Sequence, residues 1–214
     1  MQKRSAANIG LTVALAVVFA AAANSVAADT IIDEWSKVRA PDAVELKEVK
    51  LDATTTAYLV LDLVKQTCNT ERRPRCLTTV PKIAKLLDEA RSHKMAVIYS
   101  LIPNSANADI LPAVAPKSDE PIVMTVANKF IRTDLGKILK ERGIMQIVVV
   151  GTAAEGAVLY TASEAAFLGY KVIVPVDGAS AVAPYAEQAA IWILANAPGV
   201  AGNTTLTSFD KMKW

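Results

Sequence analysis

Short apolar runs alternate with segments of helical periodicity along most of the chain, and this alternation limits the possible folds more than any other feature. Runs typical of strands occur at residues 57–62, 95–101, 122–126, 146–150, 170–176 and 204–208. Helix signals lie between them at residues 80–92, 134–142, 157–168 and 184–196. Strands separated by helices form parallel sheets that are covered on both faces. The sequence therefore predicts an α/β fold built on a doubly wound parallel sheet.

Details within these segments carry further expectations. Pro81 is interpreted as the proline that opens helix 80–92 near its first turn. Trp192 lies in the apolar helix 184–196, where burial explains it more simply than a subunit contact does. Residues 103–121 are rich in Asn, Ala, Ser and Pro, and their length is typical of a lid, an interaction arm or a disordered loop.

The first 27 residues have the composition of a secretory signal peptide. Lys3 and Arg4 precede the apolar stretch 9–23, and Ser25-Val26-Ala27 offers a cleavage site before Ala28. The stretch is shorter than the ~20 residues that span a bilayer as a helix, which favours cleavage over a permanent anchor. We therefore expect a signal peptide at 1–27 and a periplasmic or secreted domain at 28–214.

Removal of that segment leaves a formally neutral chain. The sequence holds 23 Lys and Arg residues and 21 Asp and Glu residues, and Lys3 and Arg4 leave with the signal, so 21 basic residues remain. A neutral chain offers no basic surface for nucleic acid. We expect no nucleic-acid partner, no membrane attachment after cleavage, and a small-molecule ligand, with a homo-oligomer as a further possibility.

The cysteine and histidine content narrows the chemistry. Cys68 and Cys76 lie close in sequence, and in an oxidising compartment this spacing favours a disulfide over a reactive Cys68 thiol. The single histidine, His93, lies near the end of helix 80–92 and is expected to be solvated. One histidine excludes a multi-histidine zinc site, and we expect neither a metal nor a cofactor.

Ligands of open α/β sheets bind at the carboxyl ends of the strands. Asp62, the turn after residue 150 and Asp177 occupy such ends. Asp62 can act as a general base or simply accept hydrogen bonds from loop amides. The turn formed by Gly151, Thr152, Ala153, Ala154, Glu155 and Gly156 leads into a helix. It lacks the Lys-Ser/Thr pair of a phosphate-binding loop, so it is either an amide-lined anion pocket or a tight turn with glycines for close packing.

Three segments resemble the isochorismatase-like cysteine hydrolases, which include nicotinamidases and N-carbamoyl amide hydrolases. Residues 58–62 resemble the family's first strand with its aspartate, and residues 130–135 resemble its F-x-x-T-x-L segment. The longest match covers residues 148–162 and continues through 165–170 to 176–177. The likeness extends over most of residues 56–184 and implies the same fold.

The resemblance also implies an aspartate, a lysine and a cysteine as the catalytic group. It places the aspartate at Asp62 and the cysteine at the start of the helix after the central strand, where this chain has Ala157. The family pattern puts the lysine at Met124. The nearest lysine, Lys129, either enters the pocket or, as we expect for a lysine, is solvated.

Two functions follow from the resemblance and from this departure. One is hydrolysis of a small amide, imide or related substrate, with Asp62 central and with Thr152, Thr161, Glu155 or Cys68 in supporting or substitute roles. The other is a non-catalytic protein that binds a small ligand or a protein partner. Ala157 favours the second function, because a methyl group cannot act as a nucleophile.

Overall fold

The computed structural model describes residues 29–214, which form two units, 29–40 and 41–214. The predicted signal peptide, residues 1–27, lies entirely outside the described residues. The first unit contains a short helix, α1 (Ile31–Glu34), at whose start Asp33 accepts hydrogen bonds from the backbone and the hydroxyl of Thr30. Among residues 29–214, no helix combines the length and apolar character that crossing a membrane requires.

The second unit alternates strands and helices as predicted, and the doubly wound α/β fold is confirmed. Its strands are β1 (Val49–Lys50), β2 (Thr56–Leu61), β3 (Ala96–Leu101), β4 (Ile122–Met124), β5 (Gln146–Thr152), β6 (Lys171–Pro175), β7 (Ala179–Ser180), β8 (Thr204–Thr207) and β9 (Met212–Lys213). Its helices are α2 (Pro74–Ser92), α3 (Leu135–Glu141), α4 (Leu159–Phe167) and α5 (Pro184–Asn196).

The main sheet is parallel throughout, in the order β4-β3-β2-β5-β6-β8, and β7 pairs with the end of β5. A separate parallel pair joins β1 to β9. The central strands β2 and β5 are buried on both faces, which explains their continuous apolar sequences. Their alternating residues divide between two cores: Leu59 and Val149 pack with α3, α4 and α5, whereas Tyr58 and Val148 pack with α2.

Three local expectations were wrong. Helix α2 begins at Pro74 and not near Pro81, which lies inside it, because both prolines can open a helix and only the earlier one does. Trp192 is 45 % exposed, so burial does not explain its presence in α5. Residues 154–158 form a π-helical turn that continues into α4, so helical structure begins three residues before the predicted start at Ala157.

The segment 103–121 packs against the carboxyl end of β2. It forms two short 3₁₀ turns, and Ile110 pairs with Val64 in an isolated β-bridge. The backbone N–H of Leu111 donates to the carbonyl of Leu63 at 2.9 Å. This segment therefore contributes to the cover over the end of the sheet where Asp62 lies.

Candidate active site

Asp62 follows β2 directly, and its carboxylate lies at the carboxyl edge of the sheet. The residue is 3 % exposed, and its φ of +53° falls in the left-handed region, which Asp tolerates better than most residues. Two side chains bind the carboxylate: Lys129 Nζ lies 2.7 Å from Oδ2, and Ser100 Oγ donates to Oδ1 at 2.7 Å. The buried carboxylate is thus paired, which offsets the desolvation that its position imposes.

Lys129 is not solvated, so the expectation that it lies in water is wrong. The residue is 0 % exposed, and its ammonium also donates to the carbonyls of Val126 at 3.0 Å and Thr125 at 3.3 Å. Met124, to which the family pattern pointed, is 47 % exposed on the last position of β4. A lysine is buried here because a carboxylate and two carbonyls replace its hydration shell.

Burial dominates the electrostatics of this pair. It raises the pKa of Asp62, and the opposing effects of Lys129 and Ser100 only partly reverse that shift. Burial also lowers the pKa of Lys129, against the effect of Asp62. Both pKa shifts favour the neutral forms of Asp62 and Lys129. Transfer of a proton from Lys129 to Asp62 therefore costs less free energy here than between the same groups in water.

Ala157 lies in the turn that leads into α4 and is 3 % exposed. One turn later, Thr161 accepts a hydrogen bond from the backbone N–H of Lys129 at 3.1 Å and donates to the carbonyl of Ala127 at 3.3 Å. Side chains four residues apart in a helix share a face. Ala157 is therefore on the face of this helix that is turned toward the Lys129 segment.

The turn from Gly151 to Gly156 is more structured than a loop. Gly151 and Thr152 belong to β5, and Ala154, Glu155 and Gly156 belong to the π-helical turn, with Ala153 between them. The peptide bond between Thr152 and Ala153 is cis. Gly151 has φ +127°, and a Cβ on it would lie 2.0 Å from the carbonyl oxygen of Leu61. At this position glycine permits close strand contact, as the packing interpretation of the turn proposed.

Cys68 and Cys76 are joined by a disulfide, with Cα atoms 5.4 Å apart, within the range that a bridge requires. They are the two cysteines of the sequence, so Cys68 carries no free thiol in this state. The bridge closes the segment 68–76, which includes Arg73, the residue before α2. Arg73 Nη1 donates to the carbonyl of Thr67 at 3.3 Å, and the Thr67 hydroxyl donates to the backbone carbonyl of Asp62.

Several other predicted residues are held elsewhere. The Thr152 hydroxyl donates to the carbonyl of Ser180 at 2.9 Å, so it is engaged with backbone and not with Asp62. Asp177 pairs with Lys82 at 2.9 Å and accepts from the N–H of Phe209, and neither partner belongs to the Asp62 cluster. Glu155 is partly exposed and does not bind Asp62, whose two partners are given above.

The sequence interpretation missed Ser100 and Arg73. Ser100 is the one small polar residue in the apolar strand β3, and the register places it beside Leu61, the residue before Asp62. A lone polar residue at the carboxyl end of a buried strand was a usable signal. Arg73 carried none, because only the disulfide and the start of α2 bring it to this end of the sheet.

Other features of the described residues lie apart from this cluster. A cavity of about 550 Å³ is lined by Ala53, Met95 and Ile144, which precede β2, β3 and β5, so it opens at the opposite end of the sheet. Because ligands of such folds bind at the carboxyl ends, we assign the site by chemistry and not by cavity size.

His93 caps the end of α2 and stacks on Trp214. Within residues 29–214, no group of three or more His, Cys, Asp or Glu side chains could hold a metal ion.

A parallel α/β sandwich with a buried aspartate–lysine pair at the end of its central strands defines the class of protein. The sequence matches the isochorismatase domain over residues 56–207, and the chain belongs to the isochorismatase family. It is 29 % identical over 162 residues to the uncharacterized isochorismatase family protein YwoC of Bacillus subtilis (strain 168), covering 63 % of this chain and 82 % of that protein.

Solved structures share the fold. A cysteine hydrolase from Pseudomonas syringae pv. phaseolicola 1448A superposes with a TM-score of 0.68 at 22 % identity, covering 79 % of this chain and 96 % of that chain. The nicotinamidase SaPncA from Staphylococcus aureus superposes with a TM-score of 0.64 at 19 % identity, covering 72 % and 99 %. At these identities the likeness concerns the fold alone.

Proposed function

We propose that this protein is an exported member of the isochorismatase family that binds a small molecule without turning it over through a thiol. The observation that carries the proposal is the buried Asp62–Lys129 pair, together with Ala157 on the helix face that Thr161 turns toward the Lys129 segment. The resemblance implies a cysteine at residue 157, and a methyl group there can neither attack a carbonyl carbon nor form an acyl intermediate.

Within residues 29–214, none of the cysteines and threonines named from the sequence supplies the missing nucleophile. Both cysteines are consumed in the Cys68–Cys76 bridge, and a disulfide sulfur is not a thiolate. The hydroxyls of Thr152 and Thr161 donate to backbone carbonyls, whereas a nucleophilic hydroxyl needs a base that accepts its proton. The Asp62 carboxylate is bound by Lys129 and Ser100 instead.

Export is part of the same proposal. It rests on the signal-like composition of residues 1–27 and on the disulfide, which persists in oxidising compartments and is rare in the cytosol. A periplasmic or secreted protein with this site would encounter small molecules outside the cytoplasm. The exposed Trp192 on α5 is compatible with a homo-oligomer, which sedimentation at micromolar concentration would test.

A second candidate is a hydrolase of small amides or imides in which water replaces the thiol. The pKa of Asp62 is raised, chiefly by burial, which makes its carboxylate a stronger base than an ordinary aspartate. Asp62 would accept a proton from water as the water oxygen attacks the carbonyl carbon, and Lys129 would donate a hydrogen bond to the developing oxyanion. The leaving nitrogen would then take the proton from Asp62 as the C–N bond breaks.

Mass spectrometry and product analysis on residues 28–214 separate these candidates. Nicotinamide and a panel of small amides and imides are incubated with the unaltered protein, with Ala157→Cys and with Asp62→Asn. The binding proposal expects neither turnover nor a covalent adduct on the unaltered protein, and an acyl adduct on Ala157→Cys. Turnover by the unaltered protein that Asp62→Asn abolishes would establish the second candidate. A covalent adduct on the unaltered protein would overturn both.

Glu141→Gln serves as the matched control, because Glu141 is an exposed carboxylate paired only with Lys137 on the surface of α3. It removes one carboxylate, as Asp62→Asn does, and is expected to change neither adduct formation nor turnover in any background.

A further inference from the structure

Three buried side-chain atoms have no hydrogen-bond partner within residues 29–214: Arg73 Nε, Glu155 Oε2 and Ser180 Oγ. Native proteins pair nearly all buried polar groups, and each exception calls for an explanation. The three atoms come from distant parts of the sequence. Their location in the fold, however, is the same.

All three residues belong to segments around the carboxyl ends of β2 and β5. Arg73 is linked to Asp62 through Thr67, as described above. Glu155 follows β5 by three residues, and Gly151 of β5 pairs with Leu61, the residue before Asp62.

Ser180 belongs to β7, which pairs with the end of β5 through Thr152. Its neighbours Ala179 and Ala181 both pack into the core beneath α4 and α5. Side chains alternate along a strand, so Ser180 faces the opposite side, toward α2, which packs against β7. Arg73 precedes the first residue of that helix. The unpaired hydroxyl is completely buried and lies at the same end of the sheet as the other two atoms.

The electrostatics place Arg73 within range of both carboxylates. Burial lowers the pKa of Arg73 and Arg72 adds to that effect, whereas Glu155 and Asp62 raise it. Arg73 nevertheless leaves Nε unbound, and Glu155 leaves Oε2 unbound. Among the described residues, each of these two charged side chains therefore has one buried atom that can bind a ligand.

Formal charge then defines the ligand. Asp62 and Lys129 satisfy each other. Arg73 Nε is best satisfied by an anionic acceptor and Glu155 Oε2 by a cationic donor, because hydrogen bonds between charged groups are the strongest. A small molecule that carries both charges, and no net charge, meets these requirements.

We propose that Arg73, Glu155 and Ser180 form a recognition site for the zwitterion of an amino acid. The ligand carboxylate accepts from Arg73 Nε and from the Ser180 hydroxyl, and the ligand ammonium donates to Glu155 Oε2. This assignment rests on the proposed binding function and deepens it, because it names the class of small molecule and the residues that select it.

Isothermal titration calorimetry on residues 28–214 tests the assignment. The probes are L-alanine and L-phenylalanine, the N-acetyl derivative of each, which lacks the ammonium, and the amide of each, which lacks the carboxylate. At least one amino acid is expected to bind, and both of its derivatives to bind about 10-fold more weakly or worse, since each loses a hydrogen bond between charged groups. This comparison uses the unaltered protein and therefore needs no variant to fold.

Variants then assign the contacts. Arg73→Gln and Glu155→Gln are each expected to weaken amino-acid binding about 10-fold or more, and Ser180→Ala about 5-fold, as for a neutral donor. Arg72→Gln and Glu71→Gln are the matched controls, because both residues are exposed in the same disulfide loop, and they should leave the affinity unchanged. Arg73→Gln should also remove the discrimination against the amide, and Glu155→Gln the discrimination against the N-acetyl derivative.

The contrary results are equally definite. Equal binding of an amino acid and its two derivatives, tighter binding of neutral propionamide, or unchanged affinity in both Gln variants overturns the assignment. Failure of every probe to bind also overturns it. That failure is distinguishable from failure of the proposed function, which is tested independently by adduct formation at residue 157.

Discussion

Replacing Lys129 with Met should strongly destabilise the protein, because it removes the cation that is in direct contact with the buried Asp62 carboxylate. Lys129 is completely buried and its Nζ lies 2.7 Å from Asp62 Oδ2. At an effective dielectric constant of about 20, two unit charges at that separation attract by about 6 kcal/mol. Desolvation of both groups consumes much of this energy. Removing one partner of such a pair typically costs about 3–5 kcal/mol in unfolding free energy.

The partner substitutions complete a double-mutant cycle. Asp62→Asn alone should also destabilise the protein, because it strands a buried ammonium. Asp62→Asn combined with Lys129→Met should cost less than the sum of the single changes by about 2–3 kcal/mol, since no unpaired charge remains. Urea denaturation of the oxidised protein, followed by far-ultraviolet circular dichroism, measures all four unfolding free energies.

A surface pair provides the control for this cycle. Lys137 and Glu141 lie 4.0 Å apart on α3, with both side chains about two-thirds exposed. Lys137→Met and Glu141→Gln should each change stability by less than ~1 kcal/mol and combine additively. Additive effects at Asp62 and Lys129, or a Lys129→Met variant as stable as the unaltered protein, would show that the two buried charges do not depend on each other.

The pH dependence of Lys129→Met has a definite sign. Burial raises the pKa of Asp62 above its ordinary value of 3.8, and loss of the lysine should raise it further. A carboxyl group whose pKa is higher in the folded state does not oppose folding below its unfolded pKa, where it is protonated in both states. As pH rises, the unfolded state ionises first, so stability falls until the folded pKa is passed. The stability deficit of Lys129→Met relative to the unaltered protein should therefore be smallest near pH 3 to 4 and grow as pH rises through the folded pKa. A deficit that shrinks with rising pH would contradict this.

Three further predictions concern the surroundings of the pair. Gly151→Ala should destabilise the protein by about 4 kcal/mol or more, or prevent folding, because the added Cβ would overlap the Leu61 carbonyl. Gly202→Ala is the control, because a Cβ there meets open space, and it should leave the unfolding free energy measured in urea nearly unchanged. Ser100→Ala should cost about 1–3 kcal/mol by removing the hydroxyl that binds Asp62, and an unchanged denaturation midpoint would contradict that contact. Reducing the Cys68–Cys76 bridge should lower the unfolding free energy by about 2–3 kcal/mol, the loop-closure value for so short a loop, with the reductant-treated double serine variant as the control.

The fold was predictable because its signals are local. Strand β5 is a run of apolar residues long enough for a buried strand, and α5 opens at Pro184 and ends at Asn196 where the sequence indicated. Asp62 was also predictable, since an acid at the end of an apolar run marks the carboxyl edge of a parallel sheet. The extension of β5 through Gly151 was not, because it depends on the close approach of Leu61 from another strand.

The surroundings of Asp62 were less predictable because they depend on long-range contacts. Lys129 is far from Asp62 in sequence, and the general preference of lysine for water pointed to the surface. Its burial follows only from the convergence of a carboxylate and two carbonyls on its ammonium. Arg73 reaches this end of the sheet because the disulfide loop and the start of α2 position it there. The sequence interpretation missed this because it began the helix near Pro81, whereas α2 begins at Pro74.

The thiol pKa of Ala157→Cys shows whether residue 157 lies close enough to Asp62 and Lys129 for a cysteine there to act as a nucleophile. Thiolate absorbance in the ultraviolet, recorded against pH with the disulfide oxidised, measures it without requiring access by a reagent. We expect a pKa well below the ordinary value of about 8.5, and a rise when Lys129→Met is added, because the ammonium stabilises the thiolate. A pKa at or above the ordinary value, unchanged by Lys129→Met, would show that residue 157 does not lie near the Asp62–Lys129 pair.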